Sequence, residues 1–228
     1  MKYFFKRLLK LNLGLFLCAV GIVSTLNAHI GYAPWEVFHV GLTKTIDMSL
    51  GTASILTGLV ILVVAVFLGE KVGLGTILNM ILIGIFIDVI IYSNIIPVLN
   101  HFLLGLLMMI AGLFIIAIGS YFYIGSGFGA GPRDSLMVAL NRKTGLSIGV
   151  CRGIIELSAV FVGWRLGGLV GVGTIISAIG IGFSVQITFK LLKFNAARVR
   201  HETLDQTLKT LRYKKEEISV VEEASVNN

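Results

Sequence analysis

Arg152 and Glu156 stand four residues apart inside a long apolar stretch. On a helix that spacing puts both on one face. A charge at the centre of a bilayer costs about 2.5–3.5 kcal/mol on insertion scales, and a neighbour of opposite sign offsets part of it. The pair therefore reads either as a structural ion pair that locks a bundle or as a substrate or proton site. Asp88, in another apolar stretch, has no basic neighbour along the chain. It reads either as a solvated helix end or as a buried carboxylate able to carry a proton. Two more acids follow prolines, in the runs Gly31-Tyr32-Ala33-Pro34-Trp35-Glu36 and Gly129-Ala130-Gly131-Pro132-Arg133-Asp134. Proline favours the first position of a helix, and an acid two residues later meets the exposed N–H groups there. Glu36 and Asp134 are helix caps on the plainer reading. On the functional reading they head paired half-helices that face a central site, where Arg133 and Arg152 would suit an anionic group.

Other chemistries find little support. His29, Glu36 and His39 suggest half of a carboxylate metal pattern, but the corresponding stretch of the second half offers Asp134 and Met137 instead. No metal and no cofactor is expected. Cys18 and Cys151 both sit in apolar stretches, where a thiol packs as a small hydrophobe. The Gly-x-Gly-Thr runs, Gly73–Thr76 and Gly171–Thr174, lack the strand and third glycine of a dinucleotide fingerprint. They begin apolar segments instead. Gly163 and Gly167 have the spacing of a close helix contact, a weak sign in a chain with 27 glycines. Without a nucleophile–base pair or a phosphate loop, no enzyme is expected.

The elements that must position these residues follow from composition. Of 228 residues, 56% are hydrophobic and 14% charged, whereas a soluble domain is about a quarter charged. Six long apolar segments, at about 8–27, 49–69, 74–93, 102–124, 147–166 and 172–192, are each near the length of about 20 residues that a bilayer crossing needs. Their continuity excludes an alternating β-barrel pattern. Two stretches, 34–46 and 132–143, are too short to cross and are expected to be interfacial or re-entrant helices. In the first, Trp35, Phe38, Leu42 and Ile46 share one side, and Glu36, His39 and Thr43 another. The net charge of +7 collects beside the apolar segments, a membrane signature that excludes a nucleic-acid partner. The basic, apolar start resembles a signal peptide, but the repeat below argues that it is retained as a helix. From about Asn195 the chain turns polar, and a cytoplasmic tail is expected, helical near 204–211 and disordered after Glu216.

A shift of 98 residues superimposes the two halves without a gap. Gly14, Gly21, Gly31, Pro34 and Glu36 meet Gly112, Gly119, Gly129, Pro132 and Asp134. Gly73, Gly75 and Thr76 meet Gly171, Gly173 and Thr174. Between 12–94 and 110–192, 23 of 83 positions are identical. Three segments per half make the second half inverted. The expected fold is all-α and transmembrane: six spans as two inverted repeats of three, 1–100 and 101–194, followed by the tail 195–228. With the N-terminus inside, the inner segments would carry Lys2, Lys6, Arg7, Lys10, Lys71, Arg133, Arg142, Lys143 and the basic tail, and the outer ones only Lys44 and Arg165. That bias puts both termini in the cytoplasm.

The residues Gly31, Pro34-Trp35-Glu36, Gly41-Leu42, Ser49-x-Gly51 and Gly73-x-Gly75-Thr76-x-x-Asn79 resemble the YczE/YyaS/YitT group of bacterial integral membrane proteins. The YczE branch is closest in pattern to the run Gly129-x-Gly131-Pro132-Arg133-Asp134-x-Leu136-Met137, then Thr144-Gly145-x-Ser147-x-Gly149, Arg152 and Glu156. The resemblance covers about 8–192. It implies the plasma membrane of a bacterium of the Gram-positive kind, and it brings no settled activity. The leading expectation is a small secondary transporter or permease working by alternating access on an unknown small molecule. Arg133, Asp134, Arg152 and Glu156 would form the site or gate, with Glu36 and Asp88 as partners. The rival is a non-transporting scaffold or regulator whose charged tail docks a membrane or cytoplasmic protein partner. The lipid bilayer is a partner on either reading, and a second copy of the chain is a further candidate.

Overall fold

The computed structural model of the chain describes residues 2–199 and 201–209. Among them are eight α-helices: α1 Lys2–Asn27, α2 Pro34–Thr45, α3 Leu50–Phe67, α4 Leu74–Ser93, α5 Phe102–Ile124, α6 Pro132–Thr144, α7 Ile148–Arg165 and α8 Val172–Leu191. A 3-10 turn at Ala196–Arg198 and a helical stretch over 204–209 follow. No strand occurs among the described residues. The expected disorder beyond Glu216 lies outside them.

Five helices are long and apolar enough to cross a bilayer: Phe4–Asn27 within α1, then α3, α4, α5 and α8. The eighteen residues of α7 match α3 in length but include Arg152, Glu156 and Arg165. The apolar side chains explain the setting. Phe67, Tyr92, Leu157, Ile175 and Phe183 all stand exposed on the outside of the bundle. In water so continuous an apolar exterior would be an aggregation hazard. In lipid it is the solvated face, while the helices satisfy their own backbone groups.

Glycine sets the central contact. A Cβ on Gly14 would lie 2.8 Å from the Gly119 carbonyl oxygen, and one on Gly21 would lie 2.6 Å from that of Gly112. Small residues let α1 and α5 approach backbone to backbone, the form that helix association takes where apolar burial against lipid gives no driving force. α4 lies against α1, and α8 against α5. Outside this core, α3 packs on α4, α2 on α7 and α6 on α3. α7 makes no comparable pairing with α8.

The loops ahead of the short helices lock into the starts of α4 and α8. The Gly75 N–H donates to the Phe128 carbonyl (2.7 Å), and the Gly173 N–H to that of Ile30 (2.8 Å). Gly129 (φ +123°) abuts Gly73, and Gly31 (φ +116°) abuts Gly171. A side chain at either position would meet both a strained φ and a backbone. The Thr76 and Thr174 hydroxyls accept the N–H groups of Gly73 (3.2 Å) and Gly171 (3.1 Å). These glycines and threonines are therefore helix starts and close-approach points. The same logic ends the helices: Lys44 donates to the Gly167 carbonyl after α7 (2.8 Å), and Arg142 to the Leu68 carbonyl after α3 (2.6 Å). A cation there meets the carbonyls that a helix end leaves open.

The start of the tail is part of the fold. Arg7 pairs with Glu202 (2.6 Å) and donates to the Ser126 carbonyl (2.7 Å). The Glu202 and Leu204 N–H groups donate to Gly127 and Val72 (2.9 and 2.8 Å).

Candidate functional site

The N-terminal ends of α2 and α6 meet inside the protein. The Arg133 guanidinium carbon lies 4.5 Å from the centre of the Trp35 ring, within cation–π range. Pro34 and Pro132 are both buried and start their helices, with Glu36 and Asp134 in the first turns. Glu36 is 5% exposed and His39 1%. The polar side of α2 thus faces the protein, whereas Ile46 on the apolar side is half exposed. An interfacial helix would do the reverse and give its polar side to water. Of the two expected settings, interfacial or re-entrant, burial of the polar face fits the second.

Five charged groups face one another here. Arg152 Nε lies 2.8 Å from Glu156 Oε1. Arg133 faces Glu36, Asp134 and Glu156, and Asp134 faces Arg152 and Arg133. Asp134 also accepts the Gly131 N–H, so it caps its helix while belonging to the cluster. The two readings of that acid are compatible. No group of three or more His, Cys, Asp or Glu arranged to hold a metal occurs among the described residues.

Two cavities of about 190 Å³ each adjoin the cluster. Arg133 and Asp134 line both. The first lies among α1, α3, α4 and α5 and is edged by Ser54, Asn79, Ser120 and Tyr123. The second is lined by Trp35, Met137, Arg152 and Glu156. Asp134 is exposed, and both cavities reach it. The Tyr123 hydroxyl is buried without a hydrogen-bond partner. It lies 3.5 Å from where a Cβ on Gly131 would stand, with the Asn79 and Asp134 side-chain oxygens at 3.6 Å. Gly131 therefore leaves open a small space walled by oxygen atoms.

Asp88 lies elsewhere. Its carboxylate accepts the Ser49 hydroxyl (2.6 Å) and the Gly51 N–H (2.7 Å), closing the first turn of α3. It is neither a free solvated helix end nor a member of the cluster. Sequence reasoning missed Ser120 and Tyr123 as parts of this region, weighed the buried His39 only for a metal pattern, and gave Asn79 only within the resemblance. Their signal was polarity inside segments otherwise apolar, which is faint beside a formal charge.

The fold, its five long apolar helices and its lipid-suited exterior define a multi-pass helical membrane protein. The chain belongs to a family of unknown function, DUF6198, whose profile matches residues 5–190. It is 35% identical over 191 residues to the uncharacterized membrane protein YczE of Bacillus subtilis (strain 168), covering 81% of this chain and 88% of that one. An uncharacterized protein of Haemophilus influenzae is 32% identical over 172 residues, 75% of this chain and 76% of that one. The uncharacterized protein YyaS of Bacillus subtilis is 26% identical over 169 residues, 73% and 84% of the two chains. The resemblance read from the Gly-Pro-Arg-Asp run and its neighbours is borne out. No solved structure matches.

Proposed function

We propose that the chain is a small secondary transporter of the bacterial plasma membrane. In this reading α7 is a sixth span, both termini are cytoplasmic, and the halves 1–100 and 101–194 are inverted repeats that rock against each other. The observation that carries it is the meeting of two Pro-headed helices at a cluster of charge beside open cavities, with Glu36 buried and Arg133 and Glu156 half-buried. Half-helix ends at the centre of a bundle are a recurrent transporter arrangement. Charges kept inside a membrane at a cost mark substrate or ion paths.

The 98-residue correspondence supports the inverted halves. Gly31 against Gly171 and Gly129 against Gly73 are one contact made twice with the halves exchanged. So are Lys44 to Gly167 and Arg142 to a carbonyl one residue before Gly69. Inversion also makes sense of the basic residues, which gather on one side only in this topology. Alternating access follows if the two halves exchange the seam that is closed. The docked start of the tail gives the scaffold reading no specific support.

Reconstitution in liposomes tests the proposal. Purified protein should move a solute from a pooled metabolite mixture under an imposed proton or sodium gradient. Glu156→Gln should abolish the movement while the protein still inserts. Absence of movement under every gradient would count against a transporter.

A further inference from the structure

α7 and α8 stand apart, and a cleft of about 560 Å³ lies between them. That is within the usual ~300–1,000 Å³ range of small-molecule sites. Leu157 and Val160 of α7 face Ile175, Ala178 and Ile179 of α8 across it. Leu157, Ile175 and Ile179 also belong to the exposed apolar exterior, so the cleft communicates with the lipid side of the molecule. Almost all of its surface is apolar. The exception that matters is Glu156, which lines both this cleft and the charged cavity beside Trp35, Arg133, Asp134 and Arg152. An apolar channel therefore ends at a carboxylate.

The charge that lines the cleft decides what its end would receive, and among the described residues lining it Glu156 is the one charged side chain. Around that carboxylate stand Arg133, Asp134 and Arg152, with Glu36 behind them. Arg152 is already paired with Glu156, and Arg133 lies against the Trp35 ring. At the inner end of the cleft an anion would meet a like charge on Glu156, whereas a cation meets an opposite one.

We propose that this chain binds an amphipathic cation, an ammonium on an alkyl chain, with the head beside Glu156 and the chain in the α7–α8 cleft. This rests on the transporter reading and names its substrate class. Entry is lateral, from the bilayer, where such molecules partition. Measured against probe free in water, each methylene raises the apparent affinity by about fourfold whether it enters the bilayer or the cleft, so the cleft's own share is read from a variant that narrows it.

The test uses the full chain in phosphatidylcholine nanodiscs, with Trp164→Phe so that Trp35 reports alone. Decyltrimethylammonium, tetramethylammonium and decyl sulfate are titrated in turn. Saturable quenching by decyltrimethylammonium is expected, at least about tenfold tighter than by tetramethylammonium, with none by decyl sulfate. Ala178→Phe, which narrows the cleft without touching a charge, should weaken the decyl probe about tenfold or more and leave tetramethylammonium unchanged. Glu156→Gln should lose both cations. Equal affinity for the two cations, equal response to decyl sulfate, or a silent Ala178→Phe each overturns the proposal. Binding as described without flux in liposomes would defeat the transporter reading but not this site. Coupled flux of another solute without ammonium binding would do the opposite.

Discussion

The seam between α3 and α4 and the cleft between α7 and α8 occupy equivalent places in a chain shifted by 98 residues, and they differ. In the first, Gly51 and Gly84 bring the backbones together, so that a Cβ on Gly84 would lie 2.6 Å from the Gly51 carbonyl oxygen. In the second, Gly149 and Gly182 have nothing within 4 Å. Glycine therefore permits closure without imposing it, and the side chains between the glycines decide. Gly58 makes room for Met80, whose Cγ lies 2.8 Å from where a Cβ would stand. The equivalent pair is Glu156 and Ala178, which puts a charge where there was no side chain and a small residue where there was a large one. Asp88 then ties α4 to the first turn of α3, whereas its counterpart Gln186 carries no charge.

The sharpest way to break this comparison is to put the same side chain into both seams. Gly84→Leu should destabilise by about 3 kcal/mol or more through overpacking against Ile55 and Gly51. Gly182→Leu should stay within about 0.5 kcal/mol. Reversible unfolding in mixed micelles measures both, and equal costs would mean that the second seam is as closed as the first. Next in size is the helix tie. Asp88→Ala removes two charge-assisted hydrogen bonds and should cost about 1–3 kcal/mol, against under about 0.5 kcal/mol for Gln186→Ala in the same assay. A third change transplants the first seam into the second. Glu156→Gly with Ala178→Met should close α7 on α8 and stop transport, with a stability change within about 1 kcal/mol either way. Transport that persists would sever closure from mechanism. The smallest contrast is at the helix ends. Arg142→Ala loses the Glu70 pair and the Leu68 carbonyl bond, and Lys44→Ala loses one exposed bond to Gly167. Both should lie between about 0 and 1 kcal/mol, with Arg142 the larger.

Much of this was legible from the residues because lipid imposes a simple rule. α4 and α5 begin and end at the limits of their apolar runs, Leu74–Ser93 and Phe102–Ile124, and prolines start α2 and α6 as expected. α1 begins at Lys2, six residues before its apolar stretch. Hydropathy marks the bilayer and not the helix, and Lys and Arg are good helix formers. The cluster of Glu36, Arg133, Asp134, Arg152 and Glu156 was readable, because formal charges stand out in an apolar chain. The separation of Asp88 was not. Its partners, Ser49 and Gly51, lie 39 and 37 residues away, and nothing local announces them. The cavity lining of Asn79 and Tyr123 was equally hidden, since an amide and a phenol are tolerated in many places.

The central claim is that the two seams exchange which one is open, and distances measure that directly. Spin labels at Val60 and Ile85 span the α3–α4 seam, and labels at the equivalent positions Ser158 and Phe183 span α7–α8. All four residues are exposed, while native Cys18 and Cys151 are buried. Pulsed electron resonance on each pair, in nanodiscs across a range of proton and sodium concentrations, should find two distances per pair. As the α7–α8 distance shortens, the α3–α4 distance should lengthen in the same proportion of molecules. One distance per pair under every condition, with α7–α8 always wide, would contradict the account.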